Sequence, residues 1–231
     1  MSWECAFILG VLASFIASII FQFFFQLGIR PEIDIRTEDP QIKLSGQRTG
    51  QPKHRFIHLV IENKRAWVPW KFVTERQTAW NCEVSYEFFS ALEPNKKLIQ
   101  DKVIARWAAA IEPILPALDP HRGINSQAVR QTIPDPSKLP FGRKYDLHGG
   151  TQENIDLIIK IEGQQECYVF SNESYLLGWE NQNWKLGIGE YLVKVQARSG
   201  QITKQKTFKI INEGTTLEDV FVETYSPTDN S

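Results

Sequence analysis

The stretch AFILGVLASFIASIIFQFFFQL, residues 6–27, decides how the rest of the chain is organised. It contains no charged residue, and the nearest charges are Glu4 on one side and Arg30 on the other. A helix rises about 1.5 Å per residue, so this stretch would span roughly 30 Å, the thickness of a bilayer core. The sequence therefore predicts a transmembrane helix over residues 6–27, within an N-terminal anchor of residues 1–30.

A cleavable signal peptide and a buried core helix both fit this stretch less well. A signal peptide has a basic segment before its apolar core and a small-residue cleavage site after it. Here residues 1–5 carry no Lys or Arg, and no A-x-A pattern follows the apolar run. A buried helix would have to be covered on every side by a domain that consists mostly of strands. We therefore prefer a retained membrane anchor.

The charges around the predicted helix indicate its orientation. No basic residue precedes the helix, and four follow it closely: Arg30, Arg36, Lys43 and Arg48. The positive-inside rule then places the N-terminus outside and the soluble domain in the cytoplasm. An extracytoplasmic domain is the alternative. Trp3 lies where an interfacial aromatic anchor is expected.

One face of the predicted helix is polar. Its members recur every four residues and so lie along one side of a helix: Ser14, Ser18, Gln22 and Gln26. Such a stripe could hydrogen-bond a second helix, from a protein partner or from a second copy of this chain. The alternative is that these groups bond within their own helix or reach the interface. The predicted partners are thus the lipid bilayer, through residues 6–27, and another helix, through this face.

The remaining chain alternates apolar and polar residues with the period of β-strands. The clearest case is TAWNCEVSYEFF, residues 78–89, in which Cys82, Val84, Tyr86 and Phe88 share one face. Further strand-like segments occupy residues 33–36, 55–62, 102–107, 154–161, 166–170, 191–199 and 202–211. Short strands with regular turn signals predict an all-β fold, an antiparallel β-sandwich formed by residues 31–212.

Two segments depart from this pattern. Residues 108–145 contain six prolines and no periodicity, which predicts a proline-rich insertion without long regular elements. A loop of that length inside a compact domain is uncommon and suggests a functional role. The acidic, polar tail, residues 213–231, is expected to be partly disordered, with one helical turn around Leu217, Val220 and Phe221.

Composition narrows the class of protein. The formal net charge is −1, which argues against a non-specific nucleic-acid surface, because such surfaces carry a basic excess.

The cysteines raise the question of a disulfide. Besides Cys5, at the membrane edge, the chain has Cys82 and Cys167 in separate predicted strands. In a cytoplasmic domain we expect two buried thiols, whereas an oxidising compartment would allow a disulfide between them. Their spacing matches no zinc pattern.

Two short motifs resemble immunoglobulin-like modules. The motif G-x-Y-x-V-x-V-x-A at residues 189–197, followed by a hairpin, resembles the penultimate strand of bacterial and archaeal immunoglobulin-like modules. In that strand a glycine forms a corner and the tyrosine packs there. The pattern V-x-E-N at residues 60–63, followed by T-A-x-N-C at residues 78–82, resembles an uncharacterised prokaryotic family with a membrane-anchored immunoglobulin-like domain. The resemblance implies a fold and no activity.

The sequence predicts no catalytic, cofactor-binding or metal-binding residue. His54 and His58 lie on a turn and a strand without a third ligand nearby, so surface or structural roles are favoured. No G-x-S-x-G elbow is present, and the glycine pairs lack the lysine of phosphate loops. Seven tryptophans is a high number. Four are candidates for a binding surface, against the alternative that they fill the core: Trp67, Trp70, Trp179 and Trp184.

These observations favour a non-enzymatic, single-pass membrane protein whose β-sandwich binds a protein partner or scaffolds a complex. A ligand- or glycan-sensing domain with an aromatic pocket of these tryptophans is the alternative. A membrane-bound hydrolase with its site in the insertion ranks last, because the sequence shows no converging His and carboxylate groups.

Overall fold

The computed structural model describes residues 3–37, 53–65, 76–115, 133–177 and 179–226. Its α-helix, α1, is Trp3–Ile29. Its strands are β1 Ile33–Thr37, β2 His54–Asn63, β3 Ala79–Ser90, β4 Val103–Ile104, β5 Arg106–Trp107, β6 Ile114–Leu115, β7 Ile133–Pro134, β8 Lys144–Leu147, β9 Gln152–Ile161, β10 Cys167–Val169, β11 Lys185–Leu186, β12 Gly189–Ser199, β13 Ile202–Asn212 and β14 Val220–Thr224. Short 3₁₀ helices are Pro136–Gly142, Asn172–Leu177 and Gln182–Trp184.

Helix α1 projects away from the strands. Its most apolar part, Phe7–Gln26, has 20 residues and a mean hydropathy of 2.3, and 0% of it is buried by the rest of the chain. By length and composition this helix is able to cross a membrane. The prediction of an N-terminal apolar helix of spanning length is confirmed, and the side of the membrane on which the domain lies stays a prediction.

The strands form two antiparallel sheets of six and one separate pair. Sheet A has the order β1-β2-β9-β10-β11, with β5 also paired to β9. Sheet B has the order β14-β13-β12-β3-β4, with β8 also paired to β3. In sheet A, β2 pairs with β9 from His54 opposite Ile161 to Glu62 opposite Gln152, with a bulge after Ile57. The predicted all-β class is confirmed.

One hydrophobic cluster draws side chains from both sheets. Sheet B contributes the face of β3 that alternation predicts, with all four side chains at 0% exposure: Cys82, Val84, Tyr86 and Phe88. Sheet A contributes Leu59, Ile155 and Leu157. Trp107 is also fully buried, and its Nε1 donates to the carbonyl of Cys82 at 3.2 Å. Truncating a buried aromatic side chain of this kind costs about 3–5 kcal/mol.

Residues 102–107 differ from their predicted form. The chain forms two short strands here, in different sheets, instead of one. Ile104 pairs with Ser85 of sheet B, and Arg106 pairs with Asp156 of sheet A. The single residue between them, Ala105, is 1% exposed, and its N–H donates to the Val84 carbonyl at 2.8 Å. The chain therefore changes sheets within the apolar run, which alternation alone does not reveal.

The tail also differs from expectation. Val220–Thr224 form strand β14, paired with residues 208–212 of β13, where the sequence pattern suggests a helical turn. The segment VFVET alternates with the period of a strand, and its Val220 is fully buried. Sheet B thus extends past the predicted domain limit at residue 212. Residues 227–231, in the part expected to be disordered, lie outside the described residues.

Strand β9 is buried on both faces. Its alternation predicts Asp156 and Lys160 on a polar face, yet they are only 4% and 0% exposed. The outer face of sheet A is covered around Ile159 by a second cluster that includes Phe170 and Tyr175. Lys160 Nζ donates to three oxygens at 2.6–3.2 Å, those of Gln165, Asn212 and Gly214. These hydrogen bonds offset the free-energy cost of burying the Lys160 ammonium group.

The insertion is described at its two ends, residues 108–115 and 133–145. Strands β6 and β7 pair with each other, and the 3₁₀ helix Pro136–Gly142 follows, capped by the Asp135 carboxylate, which accepts from the Ser137 N–H at 3.1 Å. This helix contacts the 3₁₀ helix Asn172–Leu177 through a bond from Asn172 Nδ2 to the Leu139 carbonyl, 2.6 Å. Residues 116–132 lie outside the described residues.

The buried cysteines lead to a chemical prediction. Cys82 and Cys167 are free thiols, and burial raises the pKa of each to about 12. Because the thiolate is the reactive form, a maleimide at pH 8 should label only the exposed Cys5 in the folded full-length protein. All three thiols should react in urea without reductant, as counted by mass spectrometry. Two thiols missing in urea would indicate a disulfide, and rapid labelling of all three in the folded state would contradict their burial.

Candidate functional site

The C-terminal end of α1 is bonded directly to the β domain. We call this region the junction; it consists of residues 29–34, 63–65, 76–78 and 147–151. The last carbonyls of an α-helix lack partners within the helix. Here the Gln77 N–H donates to the Ile29 carbonyl at 2.7 Å, and Arg76 Nη1 donates to the Arg30 carbonyl at 2.8 Å. The helix therefore ends on the domain itself and not on a separate stalk.

Asn63 lies at the centre of the junction and is 0% exposed. Its Oδ1 accepts from the Glu32 N–H at 3.1 Å, and its Nδ2 donates to the carbonyls of Gln77 at 2.9 Å and Leu147 at 3.0 Å. These three partners belong to the connection after α1, the approach to β3 and the end of β8. A buried amide with all these bonds made holds the three segments together, and each bond would be costly to leave unmade.

Arg76 closes the same region from the side. Its Nη2 pairs with Glu32 Oε2 at 2.5 Å, and its Nε donates to the Arg65 carbonyl at 3.3 Å. With the bond to Arg30, one guanidinium contacts three residues in two segments, 29–34 and 63–65, and the side chain is only 11% exposed. The planar, five-donor guanidinium suits such a role better than a lysine would.

Backbone packing holds Arg76 in place. A Cβ atom on Gly149 would lie 2.2 Å from the Arg76 carbonyl oxygen and 2.7 Å from its nitrogen, so only glycine fits there. The neighbouring Gly150 has φ +76°, and its N–H donates to the Asn63 carbonyl at 2.7 Å. The glycine pair, which lacks the context of a phosphate loop, thus serves close backbone packing at the junction.

An ion pair lies beside the junction. Lys64 Nζ is 3.1 Å from Asp34 Oδ2. Burial disfavours the Asp34 carboxylate, but hydrogen bonds from Lys64 and from the Ile35 N–H outweigh that effect and hold the pKa of Asp34 below its usual value. The hydrogen bond with Asp34 raises the pKa of Lys64. Both groups therefore stay charged around neutral pH.

A second region of interest lies on the outer face of sheet A. We call it the aromatic patch; its members are His54, Phe56, Phe170, Tyr175 and Trp179. The ring centroids of His54 and Trp179 are 5.0 Å apart, and those of Phe56 and Phe170 are 4.8 Å apart. Trp179 has φ +74°, a conformation that is uncommon for a bulky residue and concentrates at functional sites. Burial raises the pKa of Tyr175.

A buried ionic group borders the aromatic patch. Arg106 Nη1 lies 2.8 Å from Asp156 Oδ2, with both side chains 5% exposed. The other carboxylate oxygen, Oδ1, lies 2.9 Å from His58 Nδ1. The Arg106 guanidinium also lies 5.7 Å from the ring centroid of Tyr175. Asp156 thus lies close to side chains from β5 and β2, and this group brings β2, β5 and β9 together beside the aromatic patch.

The predicted site residues are not brought together by the described part of the chain. Trp179 belongs to the aromatic patch, whereas Trp184 packs against the main core. Trp67 and Trp70 lie outside the described residues. Their segment begins after Arg65 and ends before Arg76, both of which belong to the junction.

The polar face of α1 is exposed along its length, with members Ser14, Ser18, Gln22 and Gln26. The Ser18 hydroxyl donates to the Ser14 carbonyl at 2.8 Å, so this hydroxyl bonds within its own helix. Pairing with a second helix stays a prediction. Among the described residues, no group of three or more His, Cys, Asp or Glu side chains is arranged to hold a metal ion.

Sequence reasoning misses the residues that organise both regions. The sequence predicts Asn63 only as the end of a strand and of the V-x-E-N motif, and it predicts no role for Arg76. Asp156 carries a visible signal, since a lone carboxylate within the apolar run 154–161 needs a buried partner. Its partners lie 50 and 98 residues away in the chain, at positions 106 and 58, and no local pattern connects them.

No family model, curated protein or solved structure matches the chain. The class that the structure defines is a domain of two antiparallel β-sheets carrying one apolar N-terminal helix of membrane-spanning length.

The junction yields a stability prediction. Asn63→Ala removes the partner of one N–H and two carbonyls, so it should lower the free energy of unfolding of the β domain by about 3 kcal/mol. Urea denaturation of the full-length protein in detergent, followed by tryptophan fluorescence, measures this change. The control Asn95→Ala, at an exposed turn, should change it by less than about 0.5 kcal/mol. Equal, small effects of both substitutions would show that the Asn63 bonds do not hold the junction.

Proposed function

We propose that this chain is a single-span membrane protein whose β domain is an immunoglobulin-like sandwich that binds a protein partner without catalysing a reaction. The observation that carries the proposal is the junction. A helix whose apolar window is 0% buried by the rest of the chain ends directly on the domain, through bonds from Arg76 and Gln77. Such a helix is stable when hydrocarbon surrounds it, and the bonds then hold the domain at the membrane surface.

The order of the strands supports an immunoglobulin-like sandwich. In that fold, strands A, B, E and D form one sheet, and C, F and G form the other. Here one sheet contains the path β1-β2-β9-β5 and the other the path β3-β12-β13. Taken in chain order, these strands occupy the positions of A, B, E and D and of C, F and G. The hydrophobic cluster shared by both sheets supports their packing face to face.

A tyrosine contact adds to this support. The Tyr191 hydroxyl donates to the Gly187 carbonyl at 3.0 Å, and Gly189, between them, has φ +142°. Tyr191 lies near the start of β12, the strand in the position of F. A tyrosine there that bonds back to the backbone a few residues upstream is a hallmark of immunoglobulin domains. The resemblance of residues 189–197 to such modules is consistent with this contact.

The aromatic patch is the surface we propose for the partner. Its rings are half-buried, except for the fully buried Phe170, and Leu176, next to Tyr175, is 45% exposed. Aromatic side chains and arginine are enriched at the centres of protein interfaces. A protein partner fits this patch better than a glycan. The charged groups beside the patch, Arg106 and Asp156, are buried and paired with each other, so they are not exposed to bond the hydroxyl groups of a sugar. The flanking charges after α1 support a cytoplasmic location of the patch.

Site-specific photocrosslinking in cells tests this function. A photoreactive amino acid at Leu176 of the full-length chain should give an adduct with a cytoplasmic protein. The same amino acid at Leu92, which is 94% exposed and follows strand β3 of sheet B, is the control and should not give that adduct. No adduct at Leu176, or identical adducts at both positions, would contradict the binding surface. An adduct with an extracytoplasmic protein would contradict the orientation.

A further inference from the structure

The junction determines how close the domain lies to the lipid. The apolar window of α1 ends at Gln26, and Ile29, whose carbonyl is bonded to Gln77, comes three residues later. At about 1.5 Å per helical residue, Ile29 lies about 5 Å beyond the hydrocarbon edge. The polar headgroup layer is roughly 5–8 Å thick on each side of the bilayer. The junction therefore lies at the level of the lipid headgroups.

Arg76 brings two other arginines together at this level. Its guanidinium donates to the carbonyls of Arg30 and Arg65, so both backbones lie against the same side chain. The side chains of Arg30 and Arg65 are exposed. Neither forms an ion pair with any of the residues that the structure describes. Two long cationic side chains are thus available beside the headgroups.

The charge balance of the junction is positive. Its basic residues are Arg30, Lys64, Arg65 and Arg76, and its acidic residues are Glu32 and Asp34. Both carboxylates are engaged, Glu32 by Arg76 and Asp34 by Lys64. Among the residues that the structure describes, the positive charges of Arg30 and Arg65 therefore remain uncompensated within the junction. A guanidinium pairs with a phosphate through two parallel hydrogen bonds.

We propose that Arg30 and Arg65 together bind the headgroup phosphate of anionic phospholipids and select such lipids next to α1. This inference rests on the membrane anchoring proposed above. Basic residues next to a membrane span attract anionic lipid, by roughly fivefold in occupancy for each residue. In this site Arg76 is a positioning residue, because its own donors are engaged by the protein.

The test uses the full-length chain reconstituted in vesicles of phosphatidylcholine with about 30% phosphatidylglycerol, a composition rich in anionic headgroups. The protein is extracted with its nearest lipids, and the phosphatidylglycerol fraction that it retains is measured by mass spectrometry. The variant is Arg30→Gln with Arg65→Gln. The control is Lys53→Gln with Lys96→Gln, which removes the same charge from exposed positions. Lys53 lies just before β2 and Lys96 lies after β3, in each case beyond the strand end that is farther from the junction.

The native chain and the control should retain phosphatidylglycerol at roughly two to three times its share of the vesicle, and the arginine variant should retain it at that share. Undiminished enrichment in the arginine variant, or an equal loss in the control, would overturn the lipid site.

Extraction of the vesicles with alkaline carbonate separates the lipid-site proposal from the membrane-anchoring proposal. A chain that stays in the membrane without enriching anionic lipid contradicts only the lipid site, whereas a chain that is washed off contradicts the membrane anchoring as well.

Discussion

The geometry of this protein depends on one buried amide, that of Asn63, together with the guanidinium of Arg76. Between them, these two side chains bond to the end of α1, to the connection into β1, to the approach to β3 and to the end of β8. Water could take the place of these hydrogen-bond partners only if the junction opened, because Asn63 is fully buried. We therefore expect the helix and the β domain to move as one body.

The two proposed surfaces lie at opposite ends of strand β2. Strand β2 runs from His54 in the aromatic patch to Asn63 in the junction, nine residues apart. At about 3.3 Å per residue, His54 lies about 30 Å along the strand from Asn63. On the two proposals above, a protein partner at the patch and the lipid headgroups at Arg30 and Arg65 would contact opposite ends of β2. A rigid junction keeps the two surfaces at a constant separation.

Local patterns in the sequence predict the apolar helix and most of the strands, because those depend on hydrophobic length and on a two-residue period. The buried face of β3, from Cys82 to Phe88, follows directly from alternation. The change of sheet at Ala105 and the burial of Asp156 could not be predicted in this way, since both depend on contacts between residues far apart in the chain. The same holds for Asn63, whose three partners lie 14–84 residues away.

Amide hydrogen exchange of the full-length protein in lipid nanodiscs tests the junction most directly. The N–H groups of Glu32, Lys64 and Gln77 are all bonded across the junction, to Asn63, Glu32 and Ile29. We expect these three amides to exchange as slowly as those of the central strand β12, because they open only when the domain unfolds. Exchange within seconds, at the rate of an unprotected linker, would show that the helix and the domain move independently.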